Sequence, residues 1–131
     1  MSTNNLLLSI IELGGYPDFT EIYKQYGYAH EVAYSMRKAL NKLKKIKPKV
    51  IVAEFNYQSD FRDRTSSLES LIAVAQRNPD TKLIVFFEKE YQHQFEKLKS
   101  RYHFYAAYSY PIEKSMLDEA LRSIASESEI T

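Results

Sequence analysis

Three short stretches of this chain are apolar almost without interruption: Leu6 to Ile11, Val50 to Phe55 and Leu83 to Phe87. A strand with one wet face alternates apolar and polar residues. A continuous apolar run belongs to a strand covered on both faces, the situation in parallel sheets whose crossovers are helices. The segments between the runs carry the matching helical periodicity. Phe19, Ile22, Tyr23 and Tyr26 share one face, as do Met36, Ala39, Leu40, Leu43 and Ile46. Leu68, Leu71, Ile72 and Ala75 form a third stripe, and Tyr91, Phe95, Leu98 and Tyr102 a fourth. Ile112, Met116, Leu117, Ala120, Leu121 and Ile124 mark the last. Tyr28 to Tyr34 and Phe104 to Tyr110 supply two further strands. Five strands alternating with five helices predict an α/β chain, a three-layer doubly wound five-stranded parallel sheet with right-handed crossovers.

Local signals fix the expected boundaries. Gly14-Gly15 ends the first strand segment. Asp18 with Glu21 reads as a capping box before the first helix, and Gly27 as its C-terminal stop. Pro48 is expected to stop the second helix. Gln58 to Arg64 reads as a polar loop, followed by a capping box of Ser66 with Glu69. Asn78-Pro79-Asp80 is a turn. Ser126 to Thr131 is expected to fray.

At 131 residues the expectation is one domain over 1–131, long enough to bury a core without staples. The net charge of +1 argues against a general polyanion-coating protein. The absence of cysteine removes disulfides and thiolate metal sites and fits a reducing compartment. Leu6 to Ile11 is too short to span a membrane, and Met1 to Asn5 has no basic n-region. A cytoplasmic location with no membrane partner is therefore expected.

Glu54 stands at the end of the second apolar run. In an open parallel sheet, chemistry sits beyond the carboxyl ends of the strands. The segment Ala39-Leu40-Asn41-Lys42-Leu43 leading through Lys47-Pro48-Lys49-Val50-Ile51-Val52-Ala53 to Glu54 resembles a receiver domain of bacterial two-component response regulators. Gly27-Tyr28 before the second strand is similar to that family's pattern, and Tyr108-Ser109-Tyr110-Pro111-Ile112 resembles its Lys-Pro-Phe segment. The resemblance covers nearly the whole chain. It implies a flavodoxin-like, receiver-like sheet with strand order 2-1-3-4-5.

The resemblance also implies a degenerate pocket, a pseudo-receiver. The family's phosphoacceptor aspartate corresponds to Glu54, whose extra methylene moves the carboxylate on the order of 1 Å outward. The Mg²⁺-binding acidic pair falls at Ile10 and Ile11, or at Ile11 and Glu12, so at most one carboxylate survives. The switch hydroxyl corresponds to Phe87, the lysine to Tyr110 and the switch aromatic to Ala107. Pro111 is kept, which allows a cis Tyr110-Pro111 bond. Phosphoryl transfer is positioning plus charge neutralisation by metal and cation, and Mg²⁺ demands near-ideal octahedral ligands. The loss of these groups argues against conventional phosphorylation.

Several features carry two readings each. Glu54 could mimic a phosphorylated aspartate, or be a solvated carboxylate at a strand end; the mimic is weak, because a phosphoryl group carries more charge. Glu12, Glu54, Asp60, Asp63 and Glu88 could hold an irregular cation site, or simply form a solvated acidic rim, which is the favoured reading. Arg37, Lys38, Lys42, Lys44, Lys45, Lys47 and Lys49 could bind an acidic partner or nucleic acid; a solvated helix face is favoured, since no stacking aromatics interleave them. Tyr91, Tyr102, Tyr105 and Tyr108 could form an interface or fill the core. Alternation along the last strand would put Phe104, Ala106, Tyr108 and Tyr110 on one face and Tyr105, Ala107 and Ser109 on the other. His30, His93 and His103 have no ligand spacing and are expected on the surface. No nucleophile-base pair and no phosphate-binding glycine loop can be assembled, so no enzyme activity, cofactor or metal is expected.

These readings converge on a phosphorylation-independent receiver-like domain that binds a signalling or regulatory protein. The resemblance places the contact, or a homodimer, on the fourth helix, fifth strand and fifth helix. The alternative is a small-molecule or metal-ion sensor using a remodelled pocket at the strand ends.

Overall fold

The computed structural model describes residues 5–55 and 65–130, with the backbone alone at 65–67 and 128–130. The strands are β1 (Leu6–Ile10), β2 (Ala29–Ala33), β3 (Val50–Phe55), β4 (Lys82–Phe87) and β5 (Ala106–Ser109). The helices are α1 (Thr20–Gln25), α2 (Met36–Lys42), α3 (Thr65–Gln76), α4 (Gln92–Lys99) and α5 (Lys114–Ile130), with a 3₁₀ turn at Lys89–Tyr91. All pairings are parallel and the order is β2-β1-β3-β4-β5. The predicted doubly wound architecture and strand order are therefore present.

The continuous apolar runs do what their pattern requires. Every residue of β3 is buried, and alternate residues feed two separate cores. Ile51, Ala53 and Phe55 pack with Leu68, Leu71 and Ile72 of α3 and Phe95 of α4. Val50 and Val52 pack with Ile22 of α1 and Leu117 and Leu121 of α5. Phe95 is fully buried in an aromatic nest. Its ring centroid lies 4.6 Å from Phe87, 5.4 Å from Phe55 and 5.3 Å from Phe104.

Several expected boundaries shift, each for a local reason. α2 is capped by Ser35, whose hydroxyl accepts from Lys38 N–H at 3.1 Å. It ends at Lys42 in turn-type bonds (Lys44 N–H to Asn41 O, Lys45 N–H to Lys42 O), so the chain leaves the helix well before Pro48. The Asp18–Glu21 capping box does not form. Asp18 closes a tight turn instead, accepting from Thr20 N–H at 3.0 Å and Thr20 Oγ1 at 2.6 Å. α3 starts at Thr65, so Ser66 is not its cap. α5 continues to Ile130 rather than fraying from Ser126; Ser and Glu keep adequate helix propensity. β5 is shorter than Phe104 to Tyr110, and its facing differs from strict alternation. Tyr105 packs with Ala106, Tyr108 and Tyr110 on the α1/α5 side, while Phe104 and Ala107 pack on the other. The strand begins only at Ala106, so no pleat governs the two residues before it.

Candidate functional site at the carboxyl end of β3

In alternation Glu54 shares the face of Val50 and Val52, and its register partner on β4 is Phe86. It is only 1% exposed. The expectation of a solvated carboxylate on an acidic rim is thus overturned. Desolvating a carboxylate is costly unless its acceptors are satisfied. Here the β1–α1 loop satisfies them.

Leu13 N–H donates to Oε1 at 2.9 Å, and Glu12 and Gly14 N–H donate to Oε2 at 3.2 Å each. The Tyr16 hydroxyl donates to Oε2 at 2.9 Å. A carboxylate has about four lone-pair sites, and among the described residues four donors meet this one. Gly14 and Gly15 follow with positive φ, 73° and 86°, and so turn the chain that brings Tyr16 back to the same carboxylate. The extra methylene of glutamate, expected to push the carboxylate outward, instead lets it reach into this nest of amides.

Tyr16 closes the site. Its ring lies edge-on to Phe86 with centroids 4.9 Å apart, and stacks parallel to Phe19 at 5.9 Å. Burial, reinforced by the charge and hydrogen bond of Glu54, pushes its phenol well above the ordinary tyrosine range. Tyr110 flanks it at 6.1 Å and donates through its hydroxyl to Gly14 O at 3.1 Å. Burial, then the charges of Glu54 and Glu88, also raises the Tyr110 phenol. The Tyr110-Pro111 bond is cis and Pro111 is exposed.

The other expected site residues are not gathered here. Glu12 contributes its amide to the site. Phe87 turns to the opposite core and stacks on Phe95. Asp60, Asp63 and the Gln58 to Arg64 loop lie outside the described residues. Among the described residues no three His, Asp or Glu side chains converge as metal ligands would. His30 departs from its expected surface position. It is half-buried, with Nε2 2.8 Å from Ser9 Oγ, Nδ1 3.3 Å from Thr20 Oγ1, and its ring edge-on to Tyr23 at 4.9 Å.

Tyr91, Tyr102, Tyr105, Tyr108 and Tyr110 are all half-buried, so core and interface are not exclusive alternatives. The Tyr105 hydroxyl donates to Glu127 Oε2 at 3.0 Å and lies 2.6 Å from Ser123 Oγ, and the Arg101 guanidinium lies 5.8 Å from the Tyr102 ring centroid.

No family model and no curated protein matches the chain. Solved structures do. A response regulator receiver domain protein from Clostridium thermocellum superposes with a TM-score of 0.68 at 10% identity, over 95% of this chain and 96% of that one. The signal receiver domain of a modulated diguanylate cyclase from Desulfovibrio desulfuricans gives 0.68 at 11% identity, over 95% and 96%. A DNA-binding response regulator of the LuxR family from Staphylococcus aureus gives 0.67 at 14% identity, over 92% and 98%.

The chain has the fold of a response regulator receiver domain. In this receiver-like fold Glu54 stands one residue before the end of β3, the central strand. Sequence reasoning named Gly14 only as a strand stop and named neither Leu13 nor Tyr16. Their contribution is mostly backbone amide, which carries no side-chain signature. The Gly-Gly-Tyr run directly after an apolar strand was the available signal.

Proposed function

We propose that this receiver-like domain is a phosphorylation-independent protein-interaction module of bacterial signalling, without enzymatic activity of its own. One observation carries the reading: Glu54 is buried and accepts from three loop amides and the Tyr16 hydroxyl. A phosphoacceptor must meet its donor in line, with metal and cation around the transferred group. Glu54 would have to surrender the contacts that satisfy it in order to react. The same cost weighs against the ion- or small-molecule-sensor reading. The half-buried tyrosines Tyr91, Tyr102, Tyr105 and Tyr108 supply a surface of the kind enriched at interfaces, large in area with a polar tip.

The test is intact-mass analysis after incubation with acetyl phosphate and Mg²⁺, beside thermal melts with beryllofluoride. An unchanged mass and an unchanged melting temperature are expected. A covalent phospho-adduct that disappears in Glu54→Gln would overturn the reading. For the surface, a partner recovered with the wild-type domain should be lost with Tyr91→Ala or Tyr105→Ala. Binding retained by both variants removes that face from the proposal.

A further inference from the structure

The edge of the sheet opposite Glu54 has a character of its own. Lys49 N–H donates to Leu6 O, Lys82 N–H to Lys49 O and Tyr105 N–H to Leu83 O, each at 2.8 Å. These bonds set the turns into β3, β4 and β5 side by side. Thr81 Oγ1 donates to Pro48 O at 2.6 Å and ties two of the turns together.

Two cavities open between these turns. One, of about 260 Å³, has Leu43, Ile46, Pro48 and Val74 in its walls and Lys47 and Arg77 at its rim. The other, of about 230 Å³, has Ile72, Leu83 and Tyr105 with Lys82 and His103. Ala75, Asn78 and Thr81 line both, so the cavities are neighbours across one ridge. Leu43, Ile46 and Val74 are half-buried rather than buried, leaving apolar surface open to an incoming side chain.

The charge around the cavities is one-sided. Lys44, Lys45, Lys47 and Arg77 are exposed there and Lys49 and Lys82 are half-buried, whereas among the described side chains the exposed acids of the same turns and neighbouring helix end are Asp80 and Glu127. The chain itself shows how a carboxylate seats at this edge. Glu127 Oε1 lies 3.5 Å from Lys82 Nζ, and its Oε2 accepts from the Tyr105 hydroxyl.

We propose that this basic edge is a docking surface for an acidic protein segment carrying apolar side chains. The segment crosses the α3–β4 turn, seats an apolar side chain in each cavity and sets its carboxylates against Arg77 and the lysines of the α2–β3 turn. Charge complementarity selects an acidic occupant. The apolar walls select a polypeptide over a nucleic acid, whose phosphates would gain nothing from Leu43, Ile46 or Val74. Tyr105 belongs both to this surface and to the tyrosine-bearing face, so the test here rests on Lys44, Lys45 and Arg77, which lie outside that face.

The test is fluorescence anisotropy with three labelled probes: a peptide repeating Glu-Glu-Leu, a matched peptide repeating Glu-Glu-Ser, and a single-stranded DNA of equal charge. The leucine peptide should bind on the order of tenfold tighter than the serine peptide, and tighter than the DNA. Lys44→Glu with Lys45→Glu and Arg77→Glu should weaken it on the order of tenfold or more, with circular dichroism confirming the fold. Arg77→Glu alone, one exposed side chain, gives the same direction if the triple variant does not fold. Tyr91→Ala should leave the affinity unchanged. Equal binding of the two peptides, tighter binding of the DNA, no binding of the leucine peptide, or indifference to Arg77→Glu would each overturn the proposal.

Discussion

The Tyr110 hydroxyl donates to the Gly14 carbonyl at 3.1 Å, while the Gly14 amide donates to Glu54 at 3.2 Å. One residue of the β1–α1 loop is thus held from both sides, by the end of β5 and by the end of β3. The loop spans the carboxyl ends of the strands as a fastened cover.

Removing the charge at the centre of this arrangement should be costly. Glu54→Gln keeps the shape but turns an NH₂ group toward N–H donors that need an acceptor. A loss of about 2–4 kcal/mol is expected from urea denaturation, in the range for breaking a buried network around a charged acceptor. Tyr16→Phe deletes one donor and should cost about 1–2 kcal/mol. The double variant should be less destabilised than the sum, because both changes act on one acceptor.

The loop glycines give an independent check on the same geometry. Among the described residues a Cβ at Gly15 would meet only Tyr110 Cε2 at 3.8 Å, and one at Gly14 only Ile11 Cγ2 at 3.7 Å, both ordinary contacts. Any loss on substitution therefore reports backbone strain at positive φ. Gly14→Ala and Gly15→Ala should each lower stability by about 1–2 kcal/mol. An unchanged denaturation midpoint for both would show that the loop is not held as described.

His30 predicts a pH dependence. Burial lowers its pKa below the ordinary value of 6.5 and Lys24 adds to this, while Asp18 and Glu31 oppose it. The unfolded chain then binds more protons than the folded one between the two pKa values. The His30 contribution is complete above the unfolded value and is lost as the pH falls through the folded one. Denaturation midpoints should drop as the pH falls below the ordinary histidine value of 6.5, and His30→Asn should flatten that slope. A slope unchanged in the variant would assign it to other groups.

Phe95 should be the most sensitive single core position tested. Its ring touches Phe55, Phe87 and Phe104 and has no exposed surface. Phe95→Ala is expected to cost about 3–5 kcal/mol, measured by urea denaturation.

The architecture was legible where burial is symmetric. Val50 to Phe55 and Leu83 to Phe87 are apolar on both faces because helices cover both, and their periodicity reports that directly. The last strand misled because tyrosine suits either environment. Tyr105 sits before the first β5 pairing, so alternation assigned it to the wrong face. The end of α2 was hidden because Leu43 and Ile46 keep helical spacing while packing from a turn. Glu54 was located correctly but its environment was not. Its main partners are backbone amides, and only the loop conformation brings them together.

A molecular switch needs a group that tells its two states apart, since a ligand can shift an equilibrium only by interacting differently with each. Glu54 spends its acceptors on its own chain. The strand end where a receiver would register a phosphoryl group thereby becomes a fixed joint. Any change of state at this strand end has to break those bonds before it can begin.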